Sequence, residues 1–186
     1  MGGITLALLI LTACETAPTD PVDPTSELAG PSPTAGRAGT SALVTAEVIA
    51  IVDGDTIRVL VDGREEPVRL IGVNAPETGG PYRDRECYGK EAADLVREFV
   101  PIGSTVQLER DQTDRDRYDR LLRYVWLPRA GGEPVLLNEV LVAGGAARAR
   151  SYPPDTTYQT ILRDAEATAI SREAGQWDQC TRGRGG

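Results

Sequence analysis

The stretch DGDTIRV, residues 53–59, sets two carboxylates, Asp53 and Asp55, on either side of a single glycine. Acids beside a glycine favour a tight turn between strands. Two hard oxygen ligands so placed also suit a divalent cation such as Ca2+. Further along, Arg69 stands in PVRLIGV, and NAPE brings Asn74, Ala75 and Glu77 just past that run. A third strip, DRDRYDRLLRYVWL, carries Asp116, Tyr118 and Arg120 at the mouth of another apolar run. Guanidinium groups grip phosphate oxygens in paired hydrogen bonds. A carboxylate can take a proton from water, and a hard cation offsets phosphate charge. These are the parts needed to hydrolyse a phosphodiester.

Composition narrows the alternatives. The 186 residues contain no His, and Lys90 is the only Lys. A Ser-His-Asp triad and a His-ligated zinc are therefore excluded. Acid–base work must fall to Asp, Glu, Tyr or Arg, and a metal site must be built from oxygens. The three cysteines, Cys14, Cys87 and Cys180, are too scattered for a zinc cluster. Net charge is −8, with a pI near 4.7, acidic for a protein that handles a polyanion. Local arginine patches supply the countervailing charge: Arg83 and Arg85; Arg115, Arg117, Arg120 and Arg123; Arg148 and Arg150. Arg115 and Arg117 alternate with acids and read as a solvated, ion-paired face.

The elements that position these residues read as strands first. ALVTAEVIAIV (42–52) and DTIRVLVDG (55–63) are β-branched runs joined by the Asp-Gly turn. PVRLIGV (67–73), STVQLER (104–110) and RLLRYVWL (120–127) are further strands. Helical spacing appears in GKEAADLVREFV (89–100), PVLLNEVLVAGG (134–145) and TTYQTILRDAEATAISREAG (156–175). Strands with helices packed around them predict an α+β fold built on a small β-barrel.

At the N-terminus, ITLALLIL (4–11) is an apolar run too short to span a bilayer, and LTAC follows it. Thr12 and Ala13 before Cys14 resemble the lipobox of bacterial-type lipoproteins. Residues 1–14 are accordingly expected to be a signal peptide ending in a lipidated Cys14. Residues 15–41 are rich in Pro, Thr, Ser, Ala and Gly and read as a disordered tether. The folded domain is expected over 42–180, with a flexible tail over 181–186.

VDGDTIRV, VRLIGVNAPE, CYGKEA, DRYDRLLRYVW and LLNEVLVAGGAA, in that order, resemble the staphylococcal nuclease-like, or thermonuclease, family. The resemblance implies a five-stranded OB-fold barrel with about three packed helices. It also implies a Ca2+-dependent hydrolase that cleaves DNA and RNA with low sequence specificity. Carried over position by position, Arg69 and Arg120 resemble the phosphate-binding arginines, and Glu77 the general base or water-orienting carboxylate. Asp55, Asn74 and the backbone carbonyl of Ala75 resemble the calcium ligands, with Asp53 a further candidate. Tyr118 and Tyr152 resemble the lining of the nucleotide pocket. The chain departs from the pattern twice. Asn74 stands where the family commonly has a second calcium-binding Asp, and Asp119 where it usually has Gly. Asp119 is expected to tolerate the left-handed turn and to lie beside Arg120. Exported relatives often pair cysteines around ECYG and a C-terminal Trp-x-x-Cys. Once Cys14 carries lipid, a Cys87–Cys180 disulfide is thus expected, pinning the tail and holding Trp177 in the core. The remaining expectations are a monomer on the outer face of the cytoplasmic membrane, or a secreted one. The alternative function is a nucleic-acid-binding OB module without catalysis.

Overall fold

A computed structural model describes residues 41–80 and 84–182 of the chain. The expected signal peptide with Cys14, the expected tether as far as residue 40, and Arg83 lie outside the described residues.

Strand β1 (Leu43–Asp53) turns over Gly54 and Asp55 into β2 (Thr56–Val61), which pairs antiparallel with β3 (Arg64–Leu70). β1 is long enough to serve two neighbours. Its second half pairs with β2 and its first half with β5 (Thr105–Glu109), with irregularities at Val48/Ala50 and Ile51/Asp53. Such bulges bend a strand, which lets a sheet curl. β5 pairs with β6 (Leu121–Leu127), and β6 closes the barrel by running parallel to β3 over Val68–Leu70. The result is the expected five-stranded OB-type barrel within an α+β fold.

Helix α1 (Gly89–Phe99) follows β4 (Val73–Asn74) and lays Ala92, Ala93 and Val96 on the barrel. Residues 134–145, read as one helix from sequence, divide. Val135–Leu136 form β7 on the edge of β6, and only Leu137–Ala143 form α2. Strand pairing takes the first two residues because Trp126 and Leu127 leave an open edge there. β8 (Arg148–Ala149) pairs with β4, and α3 (Gln159–Ser171) packs on α2. A fourth helix, α4 (Gln176–Arg182), was not anticipated, and it takes in two residues assigned to the tail.

The core is Val48, Ile57, Val59, Val68, Leu70, Val106, Leu108 and Val125 inside the barrel, capped by Val96, Leu137, Leu141 and Leu162 from the helices. Burial of this apolar surface is the main drive to fold. One buried polar side chain fixes the helices to the barrel seam. Asn138 accepts from Val125 N at 3.0 Å and donates to Ile71 O at 2.8 Å. It thereby joins α2 to both sides of the β3–β6 closure.

Candidate active site

The Asp53–Asp55 turn is a hairpin turn, as its residue types dictate, and more besides. A Cβ on Gly54 would lie 2.6 Å from the Ala75 Cβ and 2.9 Å from that of Ala92. Only glycine lets the turn sit this close to the NAPE loop and α1. Asp55 is thereby buried, with 7% of its surface exposed. Its Oδ2 accepts from Ala75 N at 2.8 Å and meets Arg69 Nη2 at 2.9 Å, while its Oδ1 accepts from the Thr56 hydroxyl at 3.1 Å. Asp53 Oδ1 accepts from Asp55 N at 3.0 Å. Burial pushes the Asp55 carboxyl up to about 7; the Arg69 charge opposes the rise and the Asp53 charge adds to it. A carboxylate held in so much need of positive charge welcomes a cation.

Arg69, on β3, is fixed at both ends. Besides Asp55, its Nη1 donates to the carbonyls of Leu70 and Val73, each at 3.0 Å. Its side chain is only 13% exposed. Arg120 stands at the start of β6, which runs beside β3, so the barrel closure is what brings the two arginines together. They share a cavity of about 220 Å³ with Asp116, Tyr152 and Asp155. Asp116 holds Arg120 through Nε at 2.8 Å, Nη2 at 2.7 Å and the backbone N at 3.0 Å. Thr56 Oγ1 lies 3.4 Å from Arg120 Nη1 and so touches both halves of the site. Burial would raise the Asp116 carboxyl, but the Arg120 and Tyr118 donors outweigh it and hold it low.

Glu77 lies on the loop after β4, half-buried. Glu77 N donates to Glu86 Oε2 and Glu86 N donates to Glu77 O, each at 3.0 Å. A Cβ on Gly89 would come within 2.1 Å of Glu77 O, so α1 begins with glycine to let the loop cross its end. Cys87, beside this clamp, is bonded to Cys180 with a Cα–Cα separation of 5.8 Å. The expected disulfide is thus present and ties α4 to the Glu77 loop.

Asp53, Asp55, Ala75, Arg69 and Arg120 are therefore gathered in one region. Asn74 is exposed on β4, paired with Arg148 of β8. Tyr152 lines the arginine cavity. Tyr118 is 59% exposed, under the guanidinium groups of Arg117 at 4.7 Å and Arg120 at 5.5 Å. Two expectations change. Asp119 does take the left-handed conformation, at φ 64°. Its carboxylate faces Arg115 at 3.6 Å, and the acid on Arg120 is Asp116. Trp177 is half-buried beneath the Arg148 guanidinium, 4.5 Å away, and not in the core. Arg115, read as ion-paired, makes a two-pronged bond to Glu66 at 2.8 and 2.9 Å. Sequence reasoning gave no role to Thr56 or Asp155. Thr56 had only its place in DGDT to signal it, and Asp155 nothing.

Among the described residues, no three of His, Cys, Asp and Glu gather into a metal cluster. The Asp55 and Asp53 carboxylates meet at the turn, and Asp55 Oδ2 reaches the NAPE loop at Ala75 N. These are hard oxygen donors of the kind that suit a Ca2+ that keeps several waters. They do not fit a soft or nitrogen-seeking metal.

Known proteins repeat this arrangement of sequence. A family model described as staphylococcal nuclease homologue matches residues 67–179. The thermonuclease of Staphylococcus hyicus is 39% identical over 133 residues, 72% of this chain and 75% of that protein. The Staphylococcus intermedius thermonuclease is 38% identical over 129 residues, 69% of this chain and 73% of the other. Endonuclease YncB of Bacillus subtilis is 36% identical over 138 residues, 74% of this chain and 63% of its own. The residues matched by the family model hold α1, α2, α3 and both Arg69 and Arg120, and the chain belongs to the staphylococcal nuclease homologue family.

Proposed function

We propose that this nuclease, a hydrolase of phosphodiester bonds, depends on Ca2+, works outside the cytoplasm as a monomer and cuts DNA and RNA with little sequence preference. The observation that carries the reading is the shared cavity of Arg69 and Arg120, with buried Asp55 against Arg69. A scissile phosphate seated there receives donors from both arginines, which hold its oxygens and offset the charge that gathers as water attacks. Asp55, Asn74 and the Ala75 carbonyl, with Asp53 beside them, would hold the cation. Bound there, Ca2+ would supply further charge neutralisation at the phosphate. Glu77 takes the proton from the attacking water or orients it. Tyr118 and Tyr152 flank the sugar and base.

The Cys87–Cys180 bond supports work in an oxidising compartment. The N-terminal apolar run and LTAC support export, with a lipid on Cys14 as the tether or a secreted form released from it. The deciding experiment incubates residues 42–186 with plasmid DNA and with RNA, in Ca2+ and in excess chelator. Cleavage that the chelator abolishes and Glu77→Gln suppresses is the expected result. Binding without cleavage in Ca2+ would replace this reading with that of a nucleic-acid-binding module.

A further inference from the structure

Thr56 opens β2 at the point where two halves of the site meet. Its backbone pairs in register with Asp53 on β1 and with Arg69 on β3. The residue is buried. Its hydroxyl donates to Asp55 Oδ1 at 3.1 Å, and its Oγ1 lies 3.4 Å from Arg120 Nη1. Asp55 belongs to the cation half of the site and Arg120 to the phosphate half.

The other bonds of these two neighbours make the hydroxyl a link between them. Asp55 Oδ2 is engaged by Ala75 N at 2.8 Å and Arg69 Nη2 at 2.9 Å, and Oδ1 is the oxygen turned to Thr56. Arg120 gives Nε and Nη2 to Asp116, at 2.8 and 2.7 Å, and Nη1 is the arm turned to Thr56. From Asp116 through Arg120, Thr56 and Asp55 to Arg69, donor meets acceptor without a break. A hydroxyl has one proton. While that proton goes to Asp55, the oxygen is left to accept from Arg120. In such a chain each bond polarises the next, so a bond weakened at one end weakens its neighbour. The β-branch of threonine restricts χ1 and keeps the hydroxyl on its aim.

We propose that Thr56 is a positioning residue that couples the two halves, so that a cation at Asp55 frees Arg120 for the substrate phosphate. With its charge shared by a cation, the Asp55 carboxylate accepts less firmly from the hydroxyl. The hydroxyl oxygen then holds Nη1 less, and that arm turns to the phosphate while Asp116 keeps the rest of the guanidinium in place. Thr56 acts through Asp55 and Arg120 and does not touch the reacting atoms. The proposal rests on the nuclease reading and deepens it, making cation and substrate each favour the other's binding.

The test measures the factor by which Ca2+ tightens binding of a single-stranded DNA oligonucleotide, by fluorescence anisotropy in Ca2+ and in excess chelator. Every protein compared carries Glu77→Gln, so that the oligonucleotide survives in Ca2+. By linkage the oligonucleotide tightens Ca2+ binding by the same factor, which titration calorimetry reads independently. Thr56→Val keeps the shape and loses the hydroxyl. It should lower the coupling factor roughly three- to tenfold, the range for one hydrogen bond, with the direct attraction of cation and phosphate left in place. Thr56→Ser keeps the hydroxyl and should restore most of the factor. A merely structural role would lower the melting temperature and leave the factor where it was. Should Thr56→Val fail to fold, Thr56→Ala takes its place in the comparison. An unchanged factor without the hydroxyl, an equal loss in Thr56→Ser, or oligonucleotide binding that Ca2+ does not tighten at all would each overturn the coupling. Plasmid cleavage by the unsubstituted chain, run alongside, tests the nuclease reading by itself. No cleavage beside a factor that depends on the hydroxyl would sink that reading and leave the coupling standing.

Discussion

Asp116 holds Arg120 by three hydrogen bonds, two from the guanidinium and one from the backbone N. One carboxylate thus sets both the start of β6 and the aim of the arginine. Asp116→Ala should release the guanidinium and lower kcat/KM on DNA by roughly 10- to 100-fold, since a misplaced catalytic group costs about that much. Steady-state kinetics beside a melting curve checks this. Full activity with a normal melt would show that Arg120 needs no such support.

Arg69→Ala and Glu77→Gln should each cut turnover by roughly 100- to 1000-fold, but they should part on stability. Removing Arg69 strands the buried Asp55 without its partner and should cost about 2–4 kcal/mol, at the low end for a broken buried pair because Asp55 can take up a proton. Glu77→Gln keeps the shape of its loop and should melt with the parent. Chemical denaturation separates the two, and equal stability would mean that the Asp55–Arg69 pair carries little of the fold.

Asn74→Asp should tighten Ca2+ binding severalfold, because a second full carboxylate raises the charge of a hard-cation site. Titration calorimetry on both forms measures it. Equal or weaker affinity would place residue 74 outside the ligand set, or pair the new acid with Arg148 instead.

The Arg115 hydrogen bonds hold the Glu66 carboxyl below its ordinary value. Because the folded pKa is depressed, this pair stabilises fully above the unfolded value, about 4.3, and the contribution fades as pH falls through the folded one. Melting temperature should therefore drop below about pH 4, and Glu66→Gln should flatten that limb. Parallel melting curves down to pH 3 would contradict this.

Opening the Cys87–Cys180 bond, which spans 93 residues of sequence, should lower stability by about 2–4 kcal/mol through the freed unfolded chain. It should also loosen the Glu77–Glu86 clamp next to it. Cys87→Ser/Cys180→Ser should thus lose turnover as well as melting temperature. A variant that melts earlier but turns over normally would confine the bond to a structural role.

Much of the molecule is local and was legible in the chain. The Asp-Gly turn, the alternating runs that became β1, β2, β3, β5 and β6, and the spacing of Ala92 and Val96 on α1 all follow from periods of two and 3.6 residues, which the order of residues alone sets. The types in DGDT, NAPE and the arginine strips likewise announced phosphate and cation chemistry without a histidine. What local order does not carry is the choice of partner. In DRDRYDR every arginine has several acids within reach along the chain. The tight turn over 116–120 gives Asp116 to Arg120, and only the closure of β6 on β3 brings the distant Glu66 to Arg115. The same closure brings Arg69 to Arg120, and the approach of Ala75 to Gly54 buries Asp55 and raises its carboxyl. The short β4, β7, β8 and α4 have no period of their own to read. They exist because edges and ends left by the larger elements give their backbone groups a partner. Which charges meet, and how dry they are, is settled by contacts between distant segments, and those form only when the barrel closes.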